Sequence, residues 1–420
     1  MAGKEEAVEF EEVTGTDELA QLQLNGVAPD LAVAALVDHA VRSGASDLFL
    51  RSEEQSVEAS MRHLGIVRSI ASLPTDLGNR CMLHIRAAAG LKFDERRKPQ
   101  DGRWVRTRPD GQTVDLRLST MPTLYGESLA MRILVRDAHL TKLEALGLIG
   151  AQLGTLLSWL HSPSGLILVS GPTGSGKTTT LYACLHYLND GRRKIHTIED
   201  PIEYSVDGIV QSQVDDINGP DFKQLLRAVL RQGPDVVMVG ELRDAQAAET
   251  AVRAANSGQL VFATLHAPVA VGAIQSLLGL GIHPHFVSSS LLGVISQRLV
   301  RTLSSYNRMP LDLAHAPQTF EEVRQWLEPN IEPKAYAAVR GADGEEIYVG
   351  RTAVFELLSL TPSLRQMIAD GRPFGELAEK ALEGGMIDFR RASLLKVAQG
   401  VTTFDEVLRV IPTAEQWVGW

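Results

Sequence analysis

The sequence predicts an α/β protein in which a smaller α+β domain precedes a parallel-sheet core and a helical tail. Three observations predict it. The apolar stretch GLILV at 165–169 runs directly into a glycine-rich loop and a helix-forming segment, SGPTGSGKTTTLYACLHYL at 170–188. After it, strand-like and helix-like segments alternate: KIHTIED, DFKQLLRAVLRQG, DVVMVGE, DAQAAETAVRAANSG and QLVFATLH. That order is the signature of parallel strands joined by crossover helices. Ahead of residue 135 the pattern is different, with short alternating strands around two helical stretches.

Taken in order, residues 1–27 are polar and acidic and are expected to form a mobile arm. From Ala28 the apolar spacing of APDLAVAALVDHAVRSG fits an amphipathic helix, with Pro29 and Asp30 at its start and Gly44 at its end. LFLR, VEASMRHLG and IVRSI alternate as short strands, NRCMLHIRAAAGL as a helix, and GRWVRTRPDGQTVDLRLST as a hairpin turning at Asp110-Gly111. Residues 28–135 thus form one expected domain, and a short polar segment at 136–144 a linker. The α/β core spans 145–300. The pattern loosens over 301–352 and recovers as helices from about Ala353, giving a helical region over 353–420.

Composition sets outer bounds. The chain has 420 residues, 44% of them hydrophobic and 22% charged, which suits two or three domains with real cores. A net charge of −10 argues against a protein built to grip nucleic acid over a broad surface. Two cysteines, Cys81 and Cys184, stand far apart and in no CxxC, so neither a disulfide framework nor a cysteine zinc site is expected, and the usage fits a reducing compartment. The acidic N-terminus has no apolar core of a secretory signal. The longest apolar runs fall far below the roughly 18 residues a membrane span needs, so a membrane role would act through a partner.

The chemistry concentrates in Gly171–Thr178, a match to GxxxxGK[ST] with a strand before it and a helix after. Glycines allow the backbone N–H groups to turn inward, and the helix N-terminus adds its dipole, so a phosphate meets a ready anion site. Lys177 is expected to reach the β- and γ-phosphates, and Thr178 to hold Mg²⁺. Such a loop needs acids for the metal and the attacking water. DVVMVGE ends at Glu241, and TIEDPIEY closes another strand with Glu199, Asp200 and Glu203. Either cluster alone could be a solvated strand end. Carboxylates at the C-terminal edge of a parallel sheet, however, face the nucleotide crevice. Thr264 and His266 leave the next strand, GQLVFATLHA, at the same edge. There His266 is either a satisfied structural residue or a γ-phosphate sensor.

These segments together resemble a known family. SGPTGSGKTTTLY, TIEDPIEY, LRQGPDVVMVGELRD and LVFATLHA are similar, in order and spacing, to the Walker A, Asp box, Walker B and His box of GspE/PilB-type secretion ATPases, the motors of type II secretion and type IV pilus assembly. ERRKPQDGRW, VDLRLSTMPTLYGESLAMRIL, GVISQRLVRTL, GRTAVFELL and LLKVAQGVTTFDEVLRV extend the likeness over roughly residues 30–412. The resemblance implies a RecA-like P-loop ATPase domain behind a smaller PAS-like domain, a homo-hexameric ring, and ATP with Mg²⁺. It implies nucleotide contacts from Gly171, Pro172, Thr173, Gly174, Ser175, Gly176, Lys177, Thr178 and Thr179, with Glu199 beside them. Glu203 would polarise water, Glu241 would serve the Mg²⁺ and water network alongside Thr178, and His266 would sense the γ-phosphate. Arg117 and Arg132 of the smaller domain would complete the site, with Arg103 a third candidate.

The implied partner is an inner-membrane platform protein of a secretion or pilus machine. The implied location is the cytoplasm, peripheral to that membrane, with no nucleic acid bound. The chain departs from the family in places. The four-cysteine zinc module after QRLVR is replaced by the cysteine-free segment 301–352, so no zinc is expected. Gln259 stands where the family usually has a histidine before LVFATLH, which bears on any second catalytic histidine. GASDLFL lacks the histidine common after ASDI, and only a short arm precedes residue 28. Two other functions compete with an assembly or secretion motor: a pilus retraction ATPase of the same superfamily, and a nucleotide-binding regulatory subunit with little turnover. The segment LLKVAQGVTTFDEVLRV favours the assembly and secretion branch.

Overall fold

The structure, a computed structural model, describes residues 12–13, 21–93, 95–108, 110–134, 142–215, 219–313, 318–327, 332–339 and 347–411. The chain divides after Arg136 into two compact units.

In the first unit, β1 (Glu12–Val13) pairs with β2 (Gln21–Leu22), and α1 (Pro29–Arg42) leads into β3 (Asp47–Ser52), β4 (Ser56–His63) and β5 (Ile66–Pro74). Then follow α2 (Thr75–Ala88), β6 (Gln100–Thr107), β7 (Thr113–Thr123) and β8 (Gly126–Leu134). The six longer strands form one antiparallel sheet in the order β5-β4-β3-β8-β7-β6. Alternation decides its faces. Val57, Ala59 and Met61 of β4 and Val114, Leu116 and Leu118 of β7 turn inward, into a core shared with Leu36 of α1 and Ile85 of α2. The residues between them turn the other way. The expected mobile arm is in part fixed. Leu22 and Leu24 are buried in this core, which the sequence did not foretell because two leucines in an otherwise polar stretch give no periodicity that announces packing.

The second unit opens with a 3₁₀ turn at Leu143–Leu146 and α3 (Gly150–Leu160). The expected linker at 136–144 lies mostly outside the described residues. Within it Leu143 is already buried in the second unit's core. Next come β9 (Gly165–Ser170), α4 (Lys177–Leu188), β10 (Ile195–Glu199), β11 (Val210–Gln213), α5 (Phe222–Arg231), β12 (Val236–Val239), α6 (Ala245–Asn256) and β13 (Leu260–Leu265). The chain continues through α7 (Ala270–Gly279), α8 (Pro284–Ser290), β14 (Leu291–Leu303), β15 (Arg308–Pro310), β16 (Tyr336–Ala338) and β17 (Tyr348–Ser359). It closes with α9 (Pro362–Ala369), α10 (Phe374–Glu383), α11 (Phe389–Ala398) and α12 (Phe404–Val410).

Seven of these strands form a sheet in the order β11-β10-β12-β13-β9-β14-β17, parallel except for β17 at the edge. Helices cover both faces, which is why GLILV is an unbroken apolar run. Leu166 and Leu168 pack with α6 and α7, while Ile167 and Val169 pack with α3 and α4. The expected boundaries at 300/301 and 352/353 fall inside β14 and β17. The helical region therefore begins with a strand, and residues 353–359 complete the sheet. Both faces of that stretch are buried, and such a run cannot be told from a buried helix by periodicity.

Candidate active site

β9 ends at Ser170 beside β13 in the middle of the sheet, and the chain rises into the loop 171–176 before α4. Two glycines are called for by dihedral angle, and one of them by space as well. Gly171 has φ +143°, and a Cβ there would lie 2.5 Å from the carbonyl oxygen of Gln297. Gly176 has φ +89°, and its Cβ would lie 3.0 Å from the Gln297 side-chain amide. A side chain at Gly171 would meet backbone and displace the loop, while one at Gly176 would be strained by its positive φ and crowd the Gln297 amide. Lys177 bends back over the loop and donates to the carbonyls of Gly171 at 2.8 Å and Pro172 at 3.1 Å. Burial pulls its ammonium below the usual lysine range, partly offset by Glu241.

Beside Lys177 lies a crevice of about 380 Å³ over the C-terminal ends of β10, β12 and β13. It gathers Lys177, Thr178, Glu199, Glu203, Glu241 and His266, six residues spread over 90 positions of sequence that strand order brings to one edge. Glu241 follows β12 and is held from two sides. His266 Nε2 is 3.1 Å from Oε1, and Arg243 Nε donates to Oε2 at 2.7 Å. Arg243 also reaches Asp200 at 2.9 Å, and the hydrogen bond to Glu241 keeps its guanidinium firmly charged. Thr264 donates its hydroxyl to the Gly240 carbonyl, so it braces the turn that carries Glu241.

Glu199 is 4% exposed, and its oxygens are already taken. Oε2 accepts from Tyr182 at 2.5 Å, and Oε1 accepts from Thr197 at 2.6 Å and Gln211 at 3.2 Å. The same Gln211 donates to the Tyr204 carbonyl at 3.0 Å, so this buried network holds the segment that carries Glu203. Burial first, and then the bond to Glu199, push the Tyr182 phenol far above its ordinary range. Asp221 and Asp244 also border the crevice, and each serves as a helix cap, accepting from Gln224 N at 2.7 Å and Ala247 N at 2.8 Å.

Other expected residues fall elsewhere. Thr179 lies on α4 outside the crevice lining. Gln259 immediately precedes β13, at the end away from Thr264 and His266, roughly 20 Å along the strand by its rise per residue. Its replacement of the family's histidine therefore leaves the crevice untouched. Arg117 and Arg132 belong to the first unit, where cross-strand register places them side by side. The row runs Arg103, Arg117, Arg132, Asp47, Arg62 across β6, β7, β8, β3 and β4, on the sheet face opposite the core. Asp47 sits 3.3 Å from Arg62 and 3.6 Å from Arg132, while Arg103 is drawn 2.7 Å to Asp115.

Arg243, Tyr182 and Gln211 escape a reading of the sequence. Arg243 sits two residues past Glu241 and could be found by proximity. Tyr182 closes the string SGPTGSGKTTTLY without a polar role that the string announces, and Gln211 reaches in from an edge strand that carries no motif.

Mg²⁺ fits the donors present. The Thr178 hydroxyl and the Glu241 carboxylate offer hard oxygen ligands, and such a site is ordinarily completed by phosphate and water oxygens. Among the described residues, no group of three or more His, Cys, Asp or Glu forms a metal cage of its own.

The family model described as "Type II/IV secretion system protein" matches residues 24–409. The Type II secretion system ATPase E of Vibrio cholerae is 40% identical over 379 residues, covering 90% of this chain and 74% of that protein. The Type IV pilus assembly ATPase PilB of Pseudomonas aeruginosa is 37% identical over 410 residues, covering 95% and 71%. Among solved structures, the Legionella pneumophila ATPase DotB superposes with a TM-score of 0.68 at 20% identity, over 92% of this chain and 96% of that one. The pilus retraction motor PilT, solved with bound ADP, gives 0.61 at 24% identity, over 91% and 98%. The two structures speak for a shared fold.

Proposed function

The chain belongs to the type II/IV secretion system protein family, and from that premise we propose that it is a ring-forming motor for type II secretion or type IV pilus assembly. It is an ATP hydrolase of that family. The observation that carries the reading is the crevice in which Lys177 and Thr178 of the phosphate loop face Glu203, Glu241 and His266.

We assign the roles as follows. The loop 171–176 and Lys177 bind the phosphates, with Pro172, Thr173 and Gly174 exposed at the loop's crest. Bound to Thr178 and Glu241, Mg²⁺ would supply charge neutralisation at the phosphate oxygens. Glu203 orients and polarises the attacking water, its segment held by the Glu199–Tyr182–Gln211 network. His266, already in contact with Glu241, reports the far end of the phosphate chain through that carboxylate. Glu199 is better suited to supporting that segment than to touching nucleotide. Arg117 and Arg132 supply the positive charge that phosphoryl transfer needs.

Six copies in a ring, an inner-membrane platform protein as partner and a cytoplasmic location complete the proposal. Among the described residues, no helix is long and apolar enough to cross a bilayer.

The test is steady-state hydrolysis of ATP by the full chain with Mg²⁺, alongside Lys177→Ala and Glu241→Gln. Lys177→Ala is expected to lose turnover and nucleotide binding together. Glu241→Gln is expected to keep binding and lose at least about a hundredfold in kcat. Normal hydrolysis by Glu241→Gln would show that the site acids are wrongly assigned.

A further inference from the structure

We infer that Gln297 is a positioning residue of the nucleotide site, which sets the phosphate loop through its side-chain amide. The inference rests on reading 171–178 as a phosphate loop and adds a residue that lies outside every motif of that loop.

The geometry begins with strand lengths. β14 runs parallel to β9 with Ser296 opposite Ser170, the last residue of β9. β9 stops there, whereas β14 continues to Leu303. Gln297 is thus the first residue of β14 whose neighbour on that side is the glycine-rich loop instead of a strand. Its side chain is 1% exposed, and its Nε2 donates to the Ser175 carbonyl at 2.7 Å. The partner is a carbonyl oxygen, so the group that meets it must be the amide NH₂; the assignment follows from chemistry.

Gln297 also meets both ends of the loop. Its backbone carbonyl lies against Gly171, where a Cβ would come within 2.5 Å, and its amide against Gly176, where a Cβ would come within 3.0 Å. One residue therefore fixes the loop at its entry, at its exit and at the carbonyl between them. The Ser175 carbonyl is the point of leverage. Held down toward β14, it leaves the peptide N–H groups of the loop's far end free to turn toward phosphate. Released, the loop can rotate that peptide and lose the inward set of donors.

The donor, and not merely the bulk, is what this assignment requires. Gln297→Met keeps length and volume but removes the NH₂, leaving a buried carbonyl without its partner. The loop binds phosphate alike before and during the reaction, so the loss should fall on binding. We expect KM for ATP and Kd for ADP to rise about tenfold, with kcat within about threefold of wild type. Gln297→Glu keeps size and polarity but turns a carboxylate on the Ser175 carbonyl, and is expected to bind ADP at least as weakly.

The experiment is ADP titration by calorimetry and a kcat and KM determination with MgATP, on the full chain and both variants. The unfolding midpoint without nucleotide is measured in parallel. Wild-type ADP affinity in Gln297→Met overturns the assignment, leaving Gln297 a space-filling residue. A lowered midpoint with undiminished affinity in the folded protein overturns it equally. A wild-type chain that neither binds nor hydrolyses MgATP would instead sink the phosphate-loop reading before any variant is compared.

Discussion

Tyr182 shows how a single hydroxyl can matter to a site it never touches. It donates to Glu199, whose remaining acceptor bonds come from Thr197 and Gln211. Tyr182→Phe keeps the ring tilted against Tyr204, 4.4 Å between centroids, but leaves one oxygen of a buried carboxylate without that partner. We expect a loss of about 1–3 kcal/mol in urea unfolding, together with a fall in kcat that reflects a looser Glu203 segment. An unfolding curve that superposes on wild type would show that the network is not taut. At this scale the contiguous chemistry was legible: Lys177, Thr178 and Glu241 sit in strings whose residue order is itself the signal. Gln297 and Gln211 were not, because an amide inside a strand looks the same whether it faces solvent, a neighbour or a loop some 120 residues away in sequence.

At the scale of elements, β17 carries the clearest consequence. Glu356 is 1% exposed, and accepts from Ala270 N at 2.9 Å and Phe389 N at 3.0 Å, tying the starts of α7 and α11 to the sheet. Burial pushes its carboxyl up to about 7; the two backbone donors and nearby Arg298 work against that rise, and Asp388 adds to it. The sign follows directly. The folded state holds this proton more tightly than the unfolded chain, so the cost of a buried charge is absent below about pH 4.5 and complete above about 7. Stability from this group thus declines as pH rises across that window. Gln at this position cannot ionise, and Glu356→Gln is expected to flatten the fall in melting temperature between about pH 5 and 7, at the expense of one backbone bond. Parallel pH profiles for the two proteins would refute it. β17 is also where the sequence misled, since a strand buried on both faces loses its alternation. By contrast β4 and β7, with one solvated face, announced themselves.

For the whole molecule, the first unit presents its row of arginines on an otherwise acidic chain, with net charge −10. Like charges directly opposite one another across strands are unfavourable, and Asp47 and Asp115 offset part of that repulsion here. Under the proposed function, the row serves the nucleotide phosphates. Arg117→Ala and Arg132→Ala are each expected to lower kcat by about a hundredfold or more while sparing the unfolding midpoint. Their side chains leave the face away from the core. Unaltered turnover in both would remove the row from the reaction. Two-unit organisation and the parallel core were legible because helix and strand periods alternate so regularly after residue 165. The joining of residues 291–303 and 348–359 into the same sheet was not, since pairing at that separation leaves no local trace. The sheet order also has a bearing on the chain's birth. β9 lies between β13 and β14, neither of which exists when the loop after it leaves the ribosome. At roughly 5–20 residues per second, the nascent chain waits on the order of ten seconds for Gln297 to appear. If Gln297 sets the loop as proposed, nucleotide affinity is acquired late in synthesis, and its onset on stalled chains of increasing length would mark the moment when the sheet closes.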